Sequence, residues 1–140
     1  ESIYQLLKLA GVKNKWRLQM VKRFMDADIF KKQWFRKLSN DEKVLWMFIT
    51  STCSFDGFWE YDDEVIKFYT GYEKEIPQQI LDKLGMIKID NSQYFLLSWV
   101  RFQYGTLKYT IRPHKRIIER IKKKNLDEHF PELELLHEAY

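Results

Sequence analysis

Two blocks of cationic side chains are the residues best suited to do chemistry. Lys13, Lys15, Arg17, Lys22 and Arg23 lie near the start of the chain, and Lys115, Arg116, Arg120, Lys122, Lys123 and Lys124 near its end. Dense Lys and Arg neutralise phosphates, which holds a protein on nucleic acid without reading its sequence. The net charge is only +4 because the blocks flank acid: residues 1–37 carry +7, 38–100 carry −6, 101–124 carry +8 and 125–140 carry −5. Two basic blocks converging on one face would attract a polyanion. The same charges also suit plain solvated helix faces, so the pattern alone leaves both open.

Base reading would fall to other side chains. Gln78 and Gln79 are amides able to pair with adenine edges, with Lys83 beside them on the same short helix. Lys88, Asn91 and Gln93 would add contacts from a hairpin. Glu73, Glu75 and Asp82 surround that helix with negative charge, which repels phosphate.

Catalytic patterns are absent. His114, His129 and His137 are scattered and show no metal-ligand spacing such as HExxH. Asp62-Asp63-Glu64 reads better as helix-capping chemistry than as a cation site. There is no GxxxxGK[ST] and no GxGxxG, and three dispersed His with one Cys make no nucleophilic triad. The expectation is a non-enzymatic chain with no cofactor and no metal. Cys53 is the sole cysteine, so intramolecular disulfides are impossible and a reducing, cytoplasmic setting is expected. No apolar run of about 18 residues suggests a membrane span. Glu1 in place of Met makes residues 1–19 a segment expected to be trimmed or foreign.

The elements that must position these residues follow from periodicity. Ile3, Leu6, Leu7 and Ala10 give a helix over 2–10, and the basic stretch 12–24 reads as an arm or strand. Asp28 is expected to start a helical turn running through Trp34 and Phe35. Ser39 with Glu42 is a capping box opening a helix over about 40–53, faced by Leu45, Phe48, Ile49 and Thr52. The turn 54–57 leads to a strand at 58–61. Asp62-Asp63 caps a helix over 62–70 with Val65, Ile66 and Tyr69 inward. A Pro77 helix spans 76–84, and Gly85 ends it. Strands at 86–89 and 94–97 flank the polar turn 90–93. An aromatic stretch, Trp99 to Tyr104, precedes a basic helix from Arg112-Pro113 striped with Ile117, Ile118, Ile121 and Leu126. Phe130-Pro131 ends it before an acidic tail over 132–140.

The predicted class is α+β, mostly α: a winged helix-turn-helix with a small antiparallel β-hairpin wing and extra flanking helices. Residues 1–19 form an N-terminal arm, 20–110 the winged-helix domain, and 111–140 a basic helix and acidic tail packed on it.

Several strings resemble the N-terminal winged-helix domain of phage replisome-organiser, DnaD-like replication initiation proteins. They are Trp34-Phe35, Leu38-Ser39, Glu42 to Trp46, Asp56 to Glu60, Leu81 with Leu84 to Ile87, Phe95 to Leu97, Val100, Phe102-Gln103 and Pro113-His114-Lys115. The resemblance covers about residues 20–125 and lies in order and spacing. It implies origin-DNA binding, duplex rather than single strand, or self-association as a homodimer. It also implies a helicase or primase partner recruited through a region not in this chain. The rival expectation is a docking or oligomerisation module that does not touch DNA, with Trp16, Trp34, Trp59, Trp99 and Tyr104 as candidate interface aromatics.

Overall fold

The computed structural model describes residues 23–133. The helix over 2–10, the arm with Lys13, Lys15, Trp16, Arg17 and Lys22, and residues 134–140 with His137 lie outside the described residues. Within them the chain is α+β and mostly helical, with one small antiparallel sheet.

A 3-10 turn (Ile29–Lys31) and a short helix α1 (Gln33–Arg36) open the fold. They are two pieces where one turn was expected from Asp28, whose side chain caps neither. Helix α2 (Asn40–Thr52) starts on the expected capping box: the Ser39 hydroxyl accepts from Glu42 N–H, and the Glu42 carboxylate accepts from Ser39 N–H at 2.8 Å. Strand β1 (Phe58–Glu60) follows, then helix α3 (Asp63–Thr70), capped by the Asp62 carboxylate. Helix α4 (Gln78–Leu84), strand β2 (Met86–Lys88) and strand β3 (Gln93–Leu96) come next. Helix α5 (Leu97–Tyr104), helix α6 (Arg112–Lys123) and a 3-10 turn (Asp127–His129) complete the order.

The strands lie in the order β1-β3-β2, with Phe58 and Ile87 both opposite Phe95. Phe95 is therefore central and fully buried; it packs edge-on to Phe130. Phe95 and Leu96 of β3 and the buried faces of α2, α4, α5 and α6 close one continuous core.

Two expectations about side-chain direction are corrected. On α3 only Ile66 is buried; Val65 and Tyr69 point outward, Tyr69 at 68% exposure. One buried ridge suffices because α3 packs mainly on α2. On α2, Leu45 and Ile49 are buried, Phe48 is half-buried and Thr52 is exposed, its hydroxyl accepting from the Trp59 indole N–H at 3.0 Å. On the basic helix Ile117, Ile118, Ile121 and Leu126 are all buried as expected; His114 joins them, and the helix itself stops at Lys123, before Leu126.

The largest difference is α5. Tyr94 to Leu97 reads as a strand and Trp99 to Tyr104 as an aromatic extension, yet the chain turns helical at Leu97. Aromatic and β-branched residues favour strands only weakly, and packing overrides that preference. Trp99 and Val100 enter the core while Arg101 pairs with Glu132 at 2.6 Å. Trp59 and Trp99 are buried, and Trp34 and Tyr104 are half-buried, so the aromatics mostly build the fold. No helix among the described residues is long and apolar enough to cross a membrane.

Candidate nucleic-acid interface

Helix α6 carries the densest exposed cations. Its four buried residues recur at helical spacing, which turns most of the remaining positions to water. Arg112, Lys115, Arg116 and Lys123 are exposed along it, with Lys124 at its C-cap and Glu119 as the acid among them. Arg112 was not anticipated, because its place before Pro113 reads as a helix boundary. Cations in the last turn also complement the helix dipole. The helix ends in a Schellman arrangement. Asn125 takes φ 58°, its N–H donates to Lys122 O at 3.1 Å, and Leu126 N–H donates to Ile121 O at 2.9 Å. That buries Leu126 and leaves Lys123 and Lys124 in solvent.

Arg120 behaves differently from its neighbours. Its guanidinium donates to both carboxylate oxygens of Asp56, at 3.1 and 2.8 Å, and lies 4.1 Å from the Phe58 ring centroid. Asp56 is only 2% exposed and also accepts from the Ser54 hydroxyl. Arg120 therefore fastens α6 to the 54–57 turn, and its charge is occupied. Lys122 is half-buried, with its ammonium 5.0 Å over Tyr109.

The β2–β3 turn lies within reach of the Lys124 charge. Asp90 folds the turn by accepting from Ser92 N–H at 2.8 Å and Gln93 N–H at 2.9 Å. The Ser92 N–H foremost, helped by the nearby Lys124 charge, holds this carboxyl below its ordinary value. Lys88 and Asn91 are exposed. Gln93 is not open: it donates across the sheet to Glu60 at 3.2 Å. Of the predicted cations, Lys124 is thus the one whose charge reaches the β2–β3 turn, while Lys88 and Asn91 are exposed on the hairpin itself.

The α4 candidates lie elsewhere. Gln79 is exposed, whereas Gln78 spends its amide on Asp82 at 2.8 Å. Lys83 sits 5.6 Å over the Trp34 ring. Arg23 does not join the α6 row; it donates to Thr50 O at 3.2 Å and stands over Trp99. Lys15, Arg17 and Lys22 lie outside the described residues. Among the described residues, no group of three or more His, Cys, Asp or Glu is arranged to hold a metal ion. Cys53 is buried, and desolvation pushes its thiol up to about 11, which makes it a poor nucleophile.

His114 orients the start of α6. Its Nδ1 accepts from Lys108 N–H at 3.1 Å, and its ring meets Tyr104 edge-on. Burial, then the Lys108 charge, lowers its pKa below the usual 6.5. The folded chain therefore binds this proton more weakly than the unfolded chain, so the stabilisation is full above about pH 6.5 and is lost as pH falls toward the folded value. His114→Gln, which keeps an acceptor for Lys108 but does not titrate, is expected to flatten that acid dependence. Thermal melts from pH 7.5 to 5 test this; identical slopes for both proteins would refute it.

No protein-family model, curated protein or solved structure matches this chain.

Proposed function

We propose that this chain is a non-enzymatic, winged-helix DNA-binding domain of the phage-type replication-initiation kind. The observation that carries it is the row of exposed cations along α6, ending in Lys124, whose charge acts on Asp90 of the β2–β3 turn. The element order supports the fold half of the reading: α2, β1, α3, α4, then β2 and β3 joined by a tight polar turn, with β1 pairing on β3. In that scheme the turn is the wing. Arg112, Lys115, Arg116, Lys123 and Lys124 contact phosphate, and Lys88 and Asn91 contact the backbone from the wing. Such a surface positions duplex DNA more than it reads bases.

The double change Lys123→Glu and Lys124→Glu is expected to weaken binding to a labelled duplex about tenfold or more at low salt, and to lower the log–log salt slope by about 2. Fluorescence anisotropy at several salt concentrations measures both. Equal affinity of the variant and its parent at low salt would overturn the α6 assignment.

One observation favours a second reading, a docking or self-association module. Phe68 is 81% exposed and packs edge-on to Tyr69, which stacks on Phe48 with centroids 5.9 Å apart; Val65 lines the same groove. Exposed apolar clusters of this kind mark contact surfaces. Mass that rises with concentration, lost on Phe68→Glu, together with no affinity for DNA, would favour it over the first.

A further inference from the structure

A groove with no lining residue from α6 runs between the segment 23–26, α1, α2, α5 and the end of α4. Its volume is about 520 Å³, within the ~300–1,000 Å³ range of small-molecule clefts. Trp34, Trp46, Trp99, Phe24 and Phe102 give it aromatic walls, and Arg23, Lys32 and Lys83 give it positive charge against one acid, Asp26.

The walls are held in place by hydrogen bonds. Gln103 on α5 clamps the backbone of Phe24 twice, donating to its carbonyl at 2.7 Å and accepting from its N–H at 3.1 Å. Arg23 is tied to α2 through Thr50 O, 3.2 Å away. Trp34 and Trp46 meet edge-on at 5.0 Å, with Lys83 5.6 Å over the Trp34 ring and Arg23 5.3 Å over the Trp99 ring. Lys32 is bridged to Asp26 at 2.7 Å, but Arg23 and Lys83 pair with no carboxylate among the described residues. Phe24 and Phe102, both mostly exposed, stand at the rim.

Exposed aromatic rings at the rim, beside cations that meet no carboxylate among the described residues, fit a ligand that is itself flat, aromatic and anionic. A basic groove lined by aromatic side chains is the general solution for binding single strands, since every base presents a π-face and every link a phosphate. A duplex cannot offer this, because its bases are stacked inside. We propose that this groove binds unpaired nucleotides of single-stranded nucleic acid, with bases stacked on Phe24 and Phe102 at its rim and phosphates at Arg23 and Lys83. The site goes beyond the duplex surface on α6 and shares no side chain with it.

Titrating the whole chain with a short oligothymidylate, following tryptophan emission, tests this. Trp34, Trp46 and Trp99 line the groove, so saturable, salt-sensitive quenching is expected. Phe102→Ala and Phe24→Ala, both at exposed positions, should each weaken oligothymidylate binding about tenfold, the scale of one lost stacking contact. Neither should change duplex affinity. The Lys123→Glu, Lys124→Glu protein should lose duplex binding and keep the quenching, so the two sites fail separately. No quenching, or wild-type affinity in both phenylalanine variants, would overturn the proposal. So would thymidine monophosphate binding as tightly as the oligomer, which would mark a free-nucleotide pocket instead.

Discussion

Replacing Arg120 with Met is expected to lower the melting temperature by about 10 °C. The change keeps an apolar stem over Phe58 but removes the guanidinium that holds Asp56. The Asp56 carboxylate, 2% exposed, is then left with the Ser54 hydroxyl. Removing one partner of a buried pair costs about 3–5 kcal/mol. The Arg120 side chain is 37% exposed, so water already screens part of the interaction and a loss of about 2–3 kcal/mol is the better expectation. For a domain of this size that corresponds to roughly 10 °C. Adding Asp56→Asn removes the stranded charge and should recover part of the loss. Calorimetry on the single and double variants makes the comparison. An unchanged melting temperature in the single variant would show that the pair contributes nothing. Because the pair sets where α6 lies on the 54–57 turn, duplex affinity should fall in the same variant even though Arg120 itself faces Asp56.

Gly57→Ala should destabilise the fold by about 3 kcal/mol, summing a left-handed backbone penalty of about 1–2 with overpacking of about 1–3. Gly57 has φ +84°, and an added Cβ would lie 2.3 Å from Val100 Cγ2 and 3.4 Å from Leu96 O. Val100 is fully buried on α5, so neither side can yield without moving the helix or the turn. Gly71→Ala is the control. Its φ is +75°, but a Cβ there would meet nothing within 4 Å, so only the backbone cost of about 1–2 kcal/mol remains. Urea unfolding of both variants separates strain from collision. Equal losses at the two positions would mean that Val100 does not confine the turn.

Local signals were legible wherever a short stretch determines its own structure. The Ser39–Glu42 capping box, the Asp62 cap, the Gly85 stop and the Asp90 turn all rest on hydrogen bonds within four residues. Each therefore appears in the sequence as in the fold. The α6 stripe was legible for the same reason, since helical spacing needs no knowledge of the partner. Failures began where a distant neighbour decides. Val65 and Tyr69 look like core residues by spacing, but whether they are covered depends on what packs there. The 97–104 stretch carries strand-loving aromatics, yet the core claims Trp99 and Val100 from a helix.

Read alone, the residues carried the charge blocks, the capped starts of α2 and α3, the Gly85 stop, the hairpin and the lack of catalytic patterns. Only the tertiary structure decided which cations are available. Arg120 and Lys123 differ by three positions and share a composition signal, but one faces Asp56, sixty-four residues away, and the other faces water. The tertiary structure also assembled the aromatic groove, whose walls come from positions 24 to 102. Charge and periodicity are properties of neighbours along the chain, whereas ion pairing, burial and cavities are properties of neighbours in space.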